Sequence, residues 1–406
     1  MTNAIKIVLL IFTVFFNANH IFAQDTSNKT LKILWQKEFN YGENIGCPPN
    51  VVSFNSTDNT LVLIGTSFKI PKDFLKGDWD GKFWLWEIDQ QGNKIRDILL
   101  KEAPKEFRSI LIGSIGGNPV FEDLNISKNR EIYAVGQFDS SNPSFMKADL
   151  EGKNVSFKLI YEKRDILINK MIPLPDNSFL LLGSERGQGL LTKIDSTGNI
   201  LWDRTYNLKD SEIFTDGVAV GDKGDFLVAG ISLELHQGPL TSETSNVWIL
   251  RCDKEGNIIT EELFPGVLGS GVGRIPAVFQ LDSSNFVVFY YDPINTEFKI
   301  KAFNLNLKLL WEKSIFKREP SQSMGSFKIK PIPKGGFIIA HCRKNNLVIN
   351  EYNENGDKVS NLEIKDNIWK SNLGLVCTAD KAFVVSQIDS KASAVKIIAL
   401  ELKPNK

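Results

Sequence analysis

Histidine is nearly missing: the 406-residue chain holds 3, His20, His236 and His341. A zinc centre needs three or four converging Cys, His or carboxylate ligands. His341-Cys342 does not start one, because neighbours in a strand point to opposite faces. No Gly-x-Ser-x-Gly elbow occurs, so His236 lacks the nucleophile that acyl-transfer hydrolysis requires. Cysteine is scarce too, with 4: Cys47, Cys252, Cys342 and Cys377. Cys252 and Cys342 fall inside apolar runs and read as buried thiols. Cys47 with Cys377 is the one pairing that the architecture below makes sterically reasonable.

Charge of one sign is absent as well. Lys+Arg and Asp+Glu balance at 48 each, which leaves no field to recruit nucleic acid or anionic lipid. No basic cluster with interleaved aromatics appears either. Long amphipathic helical patterns are hard to find. After Phe16 no stretch approaches the roughly 20 apolar residues of a membrane span.

What is there begins with a targeting signal. Lys6 gives a positive start, Ile7–Phe16 is an unbroken apolar run, and Ala23 precedes a cleavage point at Gln24. Residues 1–23 are therefore expected to leave, and the remainder to be exported as a soluble protein of the periplasm or cell exterior.

The rest of the chain repeats itself. Ser178–Asn207 is the clearest copy, with strand-like runs at Phe179–Leu182, Leu190–Ile194 and Ile200–Tyr206. A tight Asp195-Ser-Thr-Gly198-Asn199 turn joins the last two. The third strand of this unit recurs as FWLWEID, SFMKADL, GLLTKID, VWILRCD, FKIKAFN, LVINEYN and VKIIALE. The spacing, about 45 to 60 residues, is that of propeller blades. Gly65, Gly136, Gly183 and Gly230 recur in the preceding strand, where close approach between blades is the natural reason. Ile33-Leu34-Trp35-Gln36-Lys37 reads as a fourth strand with no first three before it, and the last copy stops after three.

The reading is an all-β fold, a seven-bladed β-propeller of four-stranded blades in one domain (24–406). The strand at 31–39 completes the last blade and removes the free sheet edges. The blades fall at about 48–100, 117–161, 165–207, 211–264, 274–316, 323–365 and 368–403 by repeat spacing.

The Asp-x-x-Gly-x-x-x-Trp phrase of Asp195, Gly198 and Trp202 resembles the repeat of PQQ-type and outer-membrane-assembly β-propellers. The wording around it also looks like secreted bacterial propellers of unassigned function. The resemblance implies a fold and not quinone chemistry, since no adjacent Cys pair is present and no cofactor residues map. No cofactor is expected.

Loops carry the functional expectation. In a four-stranded blade the second-to-third loops and the blade-to-blade connections share one face, and the other turns share the opposite one. The long insertions, Ser67–Lys82, Lys101–Gly117, Ser232–Asn246 and Pro265–Gly273, all belong to the first group. Long loops without secondary structure are often functional. Asp78-Trp79-Asp80 offers a flat apolar ring between two hydroxyl-accepting carboxylates, suited to a sugar or cation. It lacks the ligand spacing of a calcium EF-loop, so no metal is assigned. Glu106 and Arg108 add polar groups from the neighbouring connection, and His236 faces them across the ring. These residues point to a monomeric binding or scaffold module for a protein or glycan. The alternative is a carbohydrate-active hydrolase or lyase at the mouth of the channel, which calls for two carboxylates converging within about 10 Å.

Overall fold

The computed structural model describes residues 29–40, 45–68, 81–100, 120–139, 142–162, 165–209, 211–221, 223–234, 244–266, 276–317, 327–333, 335–343, 346–365, 369–388 and 394–402. Every regular element among them is a strand, and the strands form seven sheets, the four-stranded antiparallel blades of a propeller, one of them extended by a short parallel strand. Blade 1 is Ile45–Asn55, Thr60–Phe68, Gly81–Ile88 and Lys94–Leu100. Blade 2 is Val120–Ile126, Glu131–Asp139, Asn142–Asp149 and Ser156–Leu159, and blade 3 is Ile166–Pro173, Phe179–Glu185, Gln188–Ile194 and Ile200–Tyr206. Blade 4 is Ser211–Val220, Asp225–Glu234, Thr244–Cys252 and Ile258–Pro265. Blade 5 is Ala277–Gln280, Asn285–Asp292, Glu297–Asn304 and Leu309–Lys317. Blade 6 is Phe327–Pro331, Phe337–Arg343, Asn346–Tyr352 and Lys358–Ile364. Blade 7 takes Trp369–Cys377, Lys381–Ile388 and Ala394–Glu401 from the end of the chain, and its outer strand is Lys32–Asn40.

The second and third strands of each blade are apolar on both faces because both faces are covered. Leu180, Leu182 and Leu191 pack towards Phe226 and Trp248 of blade 4, while Leu181 and Leu190 pack towards Tyr133 and Phe145 of blade 2. Such clusters sit between successive blades all the way round. The one joining blade 7 to blade 1 combines Phe383, Val385 and Ile397 with Leu61, Leu63 and Trp86.

One element was not expected. Lys29–Thr30 pairs in parallel with Ser360 and Asn361, adding a fifth strand to blade 6 before the chain crosses to blade 7. Leu31, at the crossing, is 5% exposed and packs among Ile338 and Leu347 of blade 6 and Leu375 of blade 7. This first described segment thus straddles the seam between the two blades.

The recurrent turn phrase is a latch between blades. In Asp253–Asn257 the Asp253 carboxylate accepts the amides of Glu255 at 3.0 Å and Asn257 at 2.8 Å, and Gly256 stands at φ +82°. A Cβ on Gly256 would meet Trp202 of the preceding blade at 3.1 Å, and Arg204 donates to Asn257 Oδ1 at 2.9 Å. Trp35 and Lys37 treat Gly92 and Asn93 in the same way, and Trp311 and Lys313 treat Gly356 and Asp357. Only glycine combines a left-handed backbone with room for the indole. The Trp of one repeat therefore serves the glycine of the next, not the glycine of its own phrase. That is why Trp311 follows a turn lacking glycine. In that turn Leu307 holds φ 58° and is itself buried, behind a blade that carries Thr260 where others carry Trp.

One expectation is corrected. The close approach at Gly183 and Gly230 is within a blade: an added Cβ would lie 1.7 Å from the Leu167 carbonyl and 2.5 Å from the Ile213 carbonyl of the adjoining inner strand. The cause is a bulge in that inner strand, which bends its backbone over the glycine. The Cys47–Cys377 bridge is not formed, since Cys377 is a free thiol. The Cys47 side chain lies outside the described residues.

Candidate functional site

The innermost strands of all seven blades enclose a central channel, and three of them carry the same defect. Register shifts fall between Phe121 and Asp123, between Ile168 and Lys170, and between Phe214 and Asp216. Each bulge brings a charged side chain into the channel just after it. Lys170 Nζ lies 3.3 Å from Asp123 Oδ2 and 3.9 Å from Asp216 Oδ1. Burial opposes the charge on Lys170, but the two carboxylates hold its ammonium well above the ordinary lysine range.

The same carboxylates tie blades together. Asp123 accepts the Met171 amide of blade 3 at 3.1 Å, and Asp216 accepts the Val278 amide of blade 5 at 3.0 Å. Asn125 donates to the Met171 carbonyl at 3.1 Å, Asn169 to the Phe214 carbonyl at 3.1 Å, and Thr215 to the Pro276 carbonyl at 2.5 Å. This polar belt joins blades 2 to 5 where their apolar interfaces give out.

Blade 6 contributes Lys328 and Lys330 to the same belt. Lys330 pairs with no carboxylate among the described residues. The nearby charge of Lys170, and then burial, lower its pKa below the ordinary lysine value. Below the belt a cavity of about 550 Å³ is lined by the inner-strand halves that lead into the short turns. Its walls include Phe54, Ile172, Val218, Phe279, Ile329 and Val376. A smaller space of about 110 Å³ lies on the other side, lined by Glu122, Thr215, Phe289 and Lys328. Both spaces touch Asp123, Lys170, Asp216 and Lys330.

Asp78, Trp79, Asp80, Glu106, Arg108 and His236 lie outside the described residues. Their connections are placed by the strands at their ends. Residues 69–80 and 235–243 join second to third strands, and 101–119 joins blade 1 to blade 2, so all three leave the same face of the ring. His341 is buried, stacked on Phe316 at 4.5 Å and Phe327 at 5.7 Å, and burial lowers its pKa to about 4. Cys342 faces the other way, into the cluster between blades 6 and 7. Among the described residues no group of three metal-ligating side chains forms.

The channel belt was missed in the sequence. A signal for it exists: Phe121-Glu-Asp123, Ile168-Asn-Lys170 and Phe214-Thr-Asp216 each follow an apolar residue, after one polar position, with a charge inside an inner strand.

No protein family matches the chain, and no curated protein does. Solved structures do match in shape. A Dyadobacter fermentans protein of unknown function aligns over 92% of this chain and 99% of its own, at 11% identity and a TM-score of 0.49. The Dos1 propeller aligns over 93% of this chain and 96% of its own, at 12% identity and a TM-score of 0.51. Raptor from Chaetomium thermophilum aligns over 93% of this chain but 30% of its own length, at 10% identity and a TM-score of 0.55. At such identities the likeness is one of fold.

Proposed function

We propose that this protein is an exported, monomeric β-propeller that binds a protein or glycan partner through its loop-bearing face. Residues 1–23 act as its export signal, and it works without a cofactor. One observation carries the reading. The topology sends the connections 69–80, 101–119, 235–243, 267–275 and 318–326 to one face, while short turns close the other. Those short turns are locked by Asx bonds such as Asp176 to Ser178 and Asp282 to Ser284. A ring that concentrates its long connections on one side suits recognition there. In this reading Asp78, Trp79, Asp80, Glu106, Arg108 and His236 supply the contacts.

The hydrolase or lyase alternative is the weaker reading. Asp123 and Asp216 do converge, through Lys170, and so meet its distance requirement. Their oxygens, however, already hold Lys170 and the amides of neighbouring blades. A carboxylate so engaged is ill placed to trade protons with a substrate.

Photo-crosslinking tests the proposal. A photoreactive residue at position 79 or 108 is expected to trap a partner from envelope extract, and one at position 196, in a turn of the opposite face, is not. Equal trapping from both faces, or none from either, refutes it.

A further inference from the structure

The channel cavity has a property that the loop-bearing face does not explain. Its charged groups are almost all spent. Asp123 Oδ1 accepts the Leu124 amide at 3.0 Å, and its Oδ2 takes the Met171 amide and Lys170. Asp216 takes the Val278 amide and faces Lys170. Asn125 and Thr215 are committed to backbone carbonyls of the next blade, and Glu122 and Lys328 have partners of their own. Among the charged side chains Lys330 is the exception. It makes no ion pair or hydrogen bond among the described residues, although it lines both spaces of the channel.

A lysine ammonium has three donors and no acceptor, so a polar ligand held by Lys330 must present an acceptor, best of all an anionic one. The surrounding walls mix apolar and polar groups in about equal measure, and the volume of about 550 Å³ falls within the range of small-molecule sites. We propose that the lower channel binds a small amphipathic organic anion, with its carboxylate or phosphate head on Lys330 and its apolar body against Phe54, Ile172, Val218, Phe279, Ile329 and Val376. Lys170 then acts as a fixed positive neighbour, while Asp123 and Asp216 neutralise it and keep it in place. The repulsion that Lys170 exerts on Lys330 is offset once an anion sits beside Lys330. The site opens among the short turns, and its occupancy is independent of any partner on the loop face.

The test is calorimetric titration of the full chain with hexanoate, hexyl phosphate and the neutral hexanamide. Lys330→Gln is compared with Lys358→Gln, an exposed lysine on the outer strand of the same blade. One-to-one binding of hexanoate or hexyl phosphate is expected, with the better of the two identifying the head group. Lys330→Gln should weaken it about tenfold or more, as loss of a charge-assisted bond does, with an unchanged melting temperature. Lys358→Gln should bind like the parent. The proposal is overturned by no binding of either anion, by equal binding of hexanamide, or by anion binding that survives Lys330→Gln.

Discussion

Acidification offers a direct reading of the blade interfaces, because His341 is buried between them. Its ring lies nearly parallel to Phe316, at 11°, and is 4% exposed. Burial first, and the charge of Arg343 second, bring its pKa down to about 4 from 6.5. In the unfolded chain it returns to the ordinary value. Between these two pKa values the unfolded chain binds the proton more readily than the native one, so stability must fall as pH falls through that window. At 1.36 kcal/mol per pH unit the full effect is about 3 kcal/mol, of which about 2.5 kcal/mol is present at pH 4.5. The assay is urea unfolding at pH 7.5 and pH 4.5 for the parent and for His341→Phe. His20 and His236, and the carboxylates, are common to both proteins and cancel in the difference. The Phe variant is expected to lose about 2.5 kcal/mol less than the parent between the two pH values. Parallel losses in the two proteins would refute the buried, neutral imidazole.

The other predictions concern the belt, the seam and the thiols. Lys170→Met leaves Asp123 and Asp216 facing one another and is expected to cost about 3 kcal/mol in urea unfolding, whereas Lys330→Met should be neutral or slightly stabilising. Equal effects would show that the belt does not discriminate between the two. Leu31→Ala opens a void at the junction of blades 6 and 7 and should cost about 3 kcal/mol; a loss under about 0.5 kcal/mol, typical of surface positions, would mean that the crossing is not part of the core. Burial pushes the thiols of Cys252, Cys342 and Cys377 up to about 12. At pH 8 they should resist alkylation in the native protein and react only after unfolding, as read by peptide mapping.

The blades were legible because their physics is local. Apolar runs such as Phe179–Leu182, Gly/Asn turns and a fixed spacing name strand, reversal and repeat within a few residues of one another. What escaped notice depends on contacts between repeats. Trp202 shares its repeat phrase with Gly198, four residues away, yet it packs on Gly256. Gly183 reads as a contact between blades, yet it answers a bulge in its own inner strand. The belt of Asp123, Lys170 and Asp216 is invisible for the same reason: its members are far apart in the chain and meet only when the ring brings inner strands side by side. Lys29–Thr30 is too short to carry any strand pattern, and only the edge of blade 6 makes it one. The candidate contacts at Asp78–Asp80, Glu106, Arg108 and His236 rest on loop length and residue chemistry, and the strands that flank them put their connections on one face.

The measurement that tests the central claim most directly is affinity capture from envelope extract by two versions of the chain. One is the unaltered 24–406 chain. In the other, residues 69–80 are replaced by a short Gly-Ser linker between Phe68 and Gly81, with native unfolding behaviour verified beforehand. The account predicts a partner retained by the first, lost by the second, and bound again when the purified partner is titrated into the unaltered protein. Identical capture by both versions, or none by either, would contradict a loop-bearing recognition face.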